Sequence, residues 1–353
     1  MIEEIKKSLS DPQRLEQLYR ENKVKFRKAF DLAYPEISSD ITARVWHERL
    51  NCESKDVMWG TKSEWLILAG LSLLAGLIAV IPQYVGWDEE FYYTRNIGFI
   101  FLPAMILYFA WKQSVPVKKM SVLMAIIAVS AVYINLLPAD KTSDTLLLAC
   151  IHLPLMIWAL LGFTFTGDEF RLPGRRIDYL RFNGELVVLT AVIFIAGAVL
   201  SGVTIGLFSL INLKIEEFYF TKIALWGVGA APVIATHIVR TNPQLVRNVS
   251  PVIAKIFTPL VLVMLVVYLT AMGITGKDPY NDREFLLIFN VLLVGVMAII
   301  FFSVAETTTG SGGHLSGVML FLLSLVTVVV NLIALSAIIF RISSWGITPN
   351  RLA

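Results

Sequence analysis

Cysteine is nearly absent from this sequence: Cys52 and Cys150 are the only two in 353 residues. Two isolated thiols build no disulfide framework, and no Cys-x-x-Cys or paired Cys/His spacing suggests zinc. Charge is scarce as well. Asp, Glu, Lys and Arg make up 16% of the chain, against about 25% in ordinary soluble domains. The scarcity is uneven, because the long apolar stretches contain no Lys, Arg or Asp. That absence argues against a pump built on buried carboxylates and against an intramembrane aspartyl protease. A net charge of +3 is too near balance for a nucleic-acid binder. His-Glu-x-x-His, Gly-x-Ser-x-Gly and a Walker-type phosphate loop are all missing, so an enzyme is the less expected class. No metal or cofactor is expected.

What the sequence does have is apolar length. A nearly charge-free apolar run of about 18 or more residues reads as a transmembrane helix. Nine stretches come close to or exceed that length: 65–84, 96–111, 120–138, 145–165, 186–211, 223–239, 256–274, 285–305 and 315–340. The expected fold class is all-α, a polytopic transmembrane bundle over residues 61–353. A small helical segment over residues 1–60 precedes it. This opening is polar and lacks the form of a cleaved signal peptide, so the first span is expected to act as an uncleaved signal-anchor.

Within residues 1–60, Asp11-Pro12 reads as a helix start, Asp as N-cap and Pro at the first helical position. Leu15, Leu18, Tyr19, Phe26, Phe30 and Ala33 recur at roughly helical spacing, and Pro35 is expected to stop that helix. Ser38-Ser39-Asp40 can cap a second helix carrying Ile41, Val45, Trp46 and Leu50. So short a segment has a thin core and is expected to lean on the membrane, a protein partner or another subunit.

Charge orients the spans. A cytoplasmic N-terminus places Arg44, Arg49, Lys55, Lys62, Lys112, Lys118, Lys119, Arg171, Arg175, Arg176, Arg181, Arg240, Arg247 and Lys255 inside. The outer loops then hold fewer cations, Arg95 among them, and this asymmetry favours the N-inside arrangement.

Polar residues at membrane depth are the first functional candidates. His152 lies two residues before Pro154 in the fourth span, and Asn135, Asn290 and Asn331 lie within or near span ends. Intramembrane ionisable groups are functional candidates by default, while amides and a neutral His also serve as interhelical packing bonds. His237, Glu64 and Glu185 fall at span ends and are expected to be solvated. At the interface, Arg171, Arg175, Arg176 and Arg181 interleave with Ile177, Tyr179, Leu180 and Phe182, a pattern suited to anionic lipid heads. Ordinary positive-inside charge is the plainer account of it. Glu306 and His314 bracket a Gly-rich linker that lacks the Lys-Ser/Thr and the preceding strand of a phosphate loop. Small residues repeat every four positions in two neighbouring spans: Ala198, Gly202 and Gly206, then Gly227, Ala231 and Ala235. Such stripes let helix backbones approach, and here predict a close antiparallel pair.

Three N-terminal runs carry a family resemblance: Pro12 to Arg20, Phe30-Asp31-Leu32-Ala33-Tyr34-Pro35-Glu36, and Trp46-His47-Glu48-Arg49-Leu50. With the loop from Phe170 to Arg181 and the end Trp345-Gly346-Ile347-Thr348-Pro349-Asn350-Arg351, the chain resembles bacterial membrane proteins grouped as domain-of-unknown-function family 4153. The resemblance implies a multi-span inner-membrane protein. It transfers no catalytic residue. In relatives the Thr-Pro-Asn-Arg motif resembles a junction leading into further spans, so either a continuation beyond Ala353 or a shorter member is expected.

Three functional classes follow. A transporter-like or channel-like protein is suggested by the many spans, the prolines inside them and the polar side chains at membrane depth. The alternative is a non-catalytic sensor or scaffold whose N-terminal helices bind a partner. The third is an enzyme acting on lipid or envelope precursors. Membrane lipids are expected partners in each, with a protein partner or self-association beside them.

Overall fold

The computed structural model describes residues 2–21, 23–52, 60–139, 143–242, 246, 249–276, 283–307 and 314–346. Side chains at several helix ends, Glu306 and His314 included, lie outside the described ones. Every described regular element is helical. The chain divides into two compact units, one built from Met1–Met58 and the other from the helices that follow.

The first unit holds α1 (Ile2–Lys7), α2 (Pro12–Glu21), α3 (Lys23–Ile37) and α4 (Ile41–Cys52). The Asp11 carboxylate accepts from the backbone N–H groups of Gln13 and Arg14, both at 3.1 Å, and so caps α2. Asp40 caps α4 in the same way through Thr42 and Ala43. The predicted single helix up to Pro35 is instead two, and Pro35 sits inside α3 rather than ending it. All six periodic apolar residues are nonetheless buried, with Tyr19, Phe26, Phe30 and Trp46 in one aromatic cluster. The expected apolar face of α4 holds at Trp46 and Leu50 and is corrected at Ile41 and Val45. Ile41 and Val45 are 71% and 61% exposed, and the buried stripe is Ala43, Trp46 and Leu50.

The second unit contains α5 (Lys62–Val85), α6 (Glu89–Lys112), α7 (Val117–Leu136), α8 (Asp144–Thr166) and α9 (Pro173–Leu210). After them come α10 (Glu216–Phe218), a π-helical turn (Tyr219–Ala224) and α11 (Leu225–Thr241), which run on as one rod. The last helices are α12 (Ser250–Thr275), α13 (Arg283–Thr307) and α14 (His314–Trp345). Eight of these rods are long and apolar enough to cross a membrane. The remaining predicted span, the eighth at 285–305, falls on α13, whose described apolar stretch is Ile288–Val304. The protein is a multi-pass helical membrane bundle.

Caps explain why helices outrun the apolar windows. Asp88 accepts from the Phe91 N–H at 2.7 Å and starts α6 seven residues before the predicted span. Thr61 and Glu64 form a reciprocal capping box at the start of α5. Pro173 opens α9 at its first turn. The basic stretch from Arg175 to Arg181 is therefore the first turns of a 38-residue helix, not a loop. At 1.5 Å per residue α9 is about 57 Å long, nearly twice a hydrocarbon core.

Two packing centres organise the bundle. One joins α5, α6 and α11 around Leu68, Ala75, Ala104 and Val233, with α7 and α8 laid against α6. The other joins the end of α9 to α12, α13 and α14 around Leu207, Leu265, Tyr268, Phe289 and Val330. Helix α6 is the least apolar candidate span and the most buried. A helix ringed by other helices need not match lipid, so it can carry polar groups that an outer helix could not.

Close approach falls where the small-residue stripes did not place it. A Cβ on Gly202 or Gly227 would meet nothing within 4 Å, and one on Gly206 would touch Ile288 of α13 at 3.4 Å. Ala198 is exposed, while Ala231 and Ala235 are buried. The tight contact involves Gly229, where a Cβ would stand 2.8 Å from the Ala75 carbonyl oxygen. Helix α11 does touch α9, but its main partner is α5.

Candidate functional site

Glu64, Tyr108, Lys112 and His237 converge at the end of the bundle where α5 begins and α6 and α11 finish. Glu64 receives the Thr61 N–H at 2.8 Å on one oxygen and the Lys112 ammonium at 2.5 Å on the other. Its side chain is only 14% exposed, so the expectation that it is solvated is corrected. His237 is corrected likewise. It is 1% exposed, with Nδ1 at 3.0 Å from the Tyr108 hydroxyl and its ring beside Trp65. The capping box that places Glu64 is legible as Thr61-x-x-Glu64. Nothing in the sequence pairs it with Lys112, 48 residues away.

Beside this network, a cleft of about 650 Å³ opens between the ends of α6, α8 and α11 and the start of α9. Its walls carry Arg175, Arg181 and Arg240 together with Asp168, Glu169, Asp178 and Glu185. Phe165, Phe182 and Val239 supply an apolar side, and Gln113 of α6 closes one edge by donating to the Phe165 carbonyl. Much of the charge is internally paired. Arg175 holds Glu169 at 2.5 Å, Lys119 holds Asp168 at 2.8 Å, and Arg181 lies 3.8 Å from Glu185 one turn along α9. The Arg240 guanidinium lies over the Phe165 ring at 5.7 Å.

Two of the four predicted interfacial arginines, Arg175 and Arg181, face this cleft. Arg171 stacks on Phe170, and Arg176 donates to the Phe170 carbonyl at 2.8 Å. The predicted Glu306 and His314 side chains lie outside the described ones.

The intramembrane candidates separate. Asn135 reaches across to Asn96 of α6, and each amide donates to the other at 2.9 Å. Such a reciprocal pair locks α7 to α6 while leaving no polar group facing lipid. His152 is exposed, and its Nδ1 bonds the Leu148 carbonyl one turn back in the same helix at 2.8 Å. Asn290 and Asn331 are exposed on α13 and α14.

At the opposite end of α6 the reading of Arg95 as a loop residue is overturned. It lies within α6, is 3% exposed, and donates to the carbonyls of Ile134, Leu137 and Pro138 at 2.7, 2.8 and 3.1 Å. Those carbonyls end α7, where a helix leaves its last acceptors unmet. A cation there also opposes the helix dipole. A related repair joins α6 to α5. Pro82 has no N–H for the Ile78 carbonyl, and the Tyr92 hydroxyl donates to it instead at 2.6 Å.

No protein-family model, no curated protein and no solved structure matches this chain, so its site is read from its own geometry.

Proposed function

We propose that this protein is a non-catalytic membrane sensor or scaffold that binds a small polar ligand in the cleft between α6, α8, α9 and α11. The cleft itself carries the reading. Its volume falls in the roughly 300–1,000 Å³ range of small-ligand sites, and it gathers charged groups from the turn after α8, from α9 and from α11 at one end of the bundle. Two observations weigh against a conduit. His152, Asn290 and Asn331 lie on outward faces. The middle of α6, from Phe99 to Ile106, is a run of apolar residues packed on its neighbours.

The test uses the full chain with Cys52 and Cys150 replaced by Ser and one new cysteine, Glu169→Cys, in the cleft wall. A bulky maleimide there is expected to abolish thermal stabilisation by a bacterial polar lipid extract. The same label on Leu172→Cys, which is exposed away from the cleft, is expected to leave it intact. Equal stabilisation of the two labelled proteins would remove the cleft as the binding site.

Transport is the second reading, favoured by the π-helical turn at Tyr219–Ala224 within a candidate span. Irregular turns and broken helices mark many transporter sites. Solute flux into proteoliposomes that the Glu169→Cys label blocks would move the assignment to transport.

With this function we place the chain in family 4153, on its quoted motifs alone, and in a bacterial inner membrane with the N-terminus in the cytoplasm. Relatives sharing only the N-terminal motifs and not the Thr-Pro-Asn-Arg end would overturn the family placement. A cysteine at Asp88 that labels only from the cytoplasm would reverse the orientation.

A further inference from the structure

We infer that the cleft selects a zwitterionic phospholipid headgroup, a phosphodiester tethered to a primary ammonium, with Arg240 taking the phosphate and Asp178 the ammonium. The inference rests on the cleft being a binding site and adds the chemical class of its ligand.

The charge balance supplies the argument. Pairing Arg175 with Glu169, Lys119 with Asp168 and Arg181 with Glu185 consumes most of the charge around the cleft. What remains is one cation and one anion. Neither Arg240 nor Asp178 has an opposite charge within 4 Å among the described residues. A purely anionic ligand would satisfy Arg240 and be repelled by Asp178. A simple amine would do the reverse. A ligand carrying both charges on a short tether answers both.

Position selects a lipid as the source. Helix ends from three candidate spans and the start of a fourth form the cleft, so it opens where headgroups lie. Phe165, Phe182 and Val239 line its apolar side, suited to the glycerol and first methylenes of a lipid. Arginine is the side chain best matched to a phosphate, through its planar fork of donors. A primary ammonium offers Asp178 three N–H donors, whereas a quaternary one offers none.

The experiment is native mass spectrometry of the full chain in detergent, titrated with matched-chain phosphatidylethanolamine, phosphatidylcholine or phosphatidylglycerol. Free phosphoethanolamine forms a fourth arm. Wild type is expected to retain phosphatidylethanolamine about tenfold or more over the other two lipids, the size of one charged hydrogen bond. Asp178→Asn is expected to erase that preference and Asp178→Glu to keep it. Arg240→Gln is expected to weaken all three lipids. Melting curves and helical circular dichroism for each variant separate lost binding from lost fold, and the wild-type lipid ranking tests the idea without any variant. Preference for phosphatidylglycerol or phosphatidylcholine, or an Asp178→Asn protein that still ranks the lipids as wild type does, would sink the zwitterion assignment alone. Free phosphoethanolamine binding as tightly as the lipid would overturn the membrane source. Retention of none of the four probes would overturn the phospholipid-headgroup assignment, while the cysteine-labelling test above judges the cleft as a binding site.

Discussion

Arg95 is a cation buried among apolar helices because three carbonyls at the end of α7 wait for it. Replacement by Met removes all three bonds and leaves buried acceptors unmet, at a cost of about 2–3 kcal/mol. Arg95→Met is therefore expected to lower the denaturant midpoint of the full chain in detergent. Arg95→Lys should fall between it and wild type, since an ammonium keeps the charge but lacks the planar fork. A midpoint for Arg95→Met equal to wild type would show that those carbonyls find other donors. The residue was not legible as a structural cation. It precedes an apolar run by one position, and its partners are about forty residues away in sequence. Asn135 was legible as a polar residue near a span end, but only the fold supplies Asn96 as its partner.

Between helices, small residues decide distance, yet a stripe of them does not say which neighbour comes close. On α11, Gly227 faces open space while Gly229 meets the backbone of Ala75. A backbone atom cannot swing aside as a side chain can, so Gly229→Ala must separate α5 from α11. Overpacking of this kind costs about 1–3 kcal/mol. Gly227→Ala has no such contact, and gains up to about 1 kcal/mol of helix propensity. Opposite shifts in melting temperature are expected for the pair, read on the full chain in detergent. Shifts of the same sign would put the close contact elsewhere. The stripe is legible in the sequence as a run of small residues, but which of them meets a neighbour's backbone depends on α5, a partner the stripe does not name.

At the scale of the molecule the N-terminal unit carries two ion pairs that respond at opposite ends of the pH range. In the N-terminal unit the Arg20 side chain bonds Glu16 and, with Arg49 nearby, holds its carboxyl below the ordinary value of 4.5. Stability from that carboxylate is complete above about 4.5 and is lost as pH falls through the depressed folded value. Glu36 bonds Lys6 and holds its ammonium above 10.5. That contribution is complete below about 10.5 and fades as pH rises through the raised value. Both pairs are open to water, so their effects are small. Amide exchange of α2 and α3 in the full chain, corrected for intrinsic rates, is expected to show a plateau of protection between those limits and a decline on each side. Protection that keeps rising below pH 4 would contradict the Glu16 pairing.

Apolar length and the near absence of charge determined the class of this protein from its sequence: a helical bundle in which every predicted span falls on a helix. The cap residues at Asp11 and Asp40 were legible too, because a cap bonds within its own first turn. Which helix faces turn inward was left to the tertiary structure. In lipid the outer face of a helix is as apolar as its packed face, so periodicity carries little sign of the partner. The cleft depended on the fold for the same reason. Most of its charge lies in one stretch, Asp168 to Glu185, and what only the fold supplies is Arg240 and Val239 from α11 and Gln113 from the end of α6.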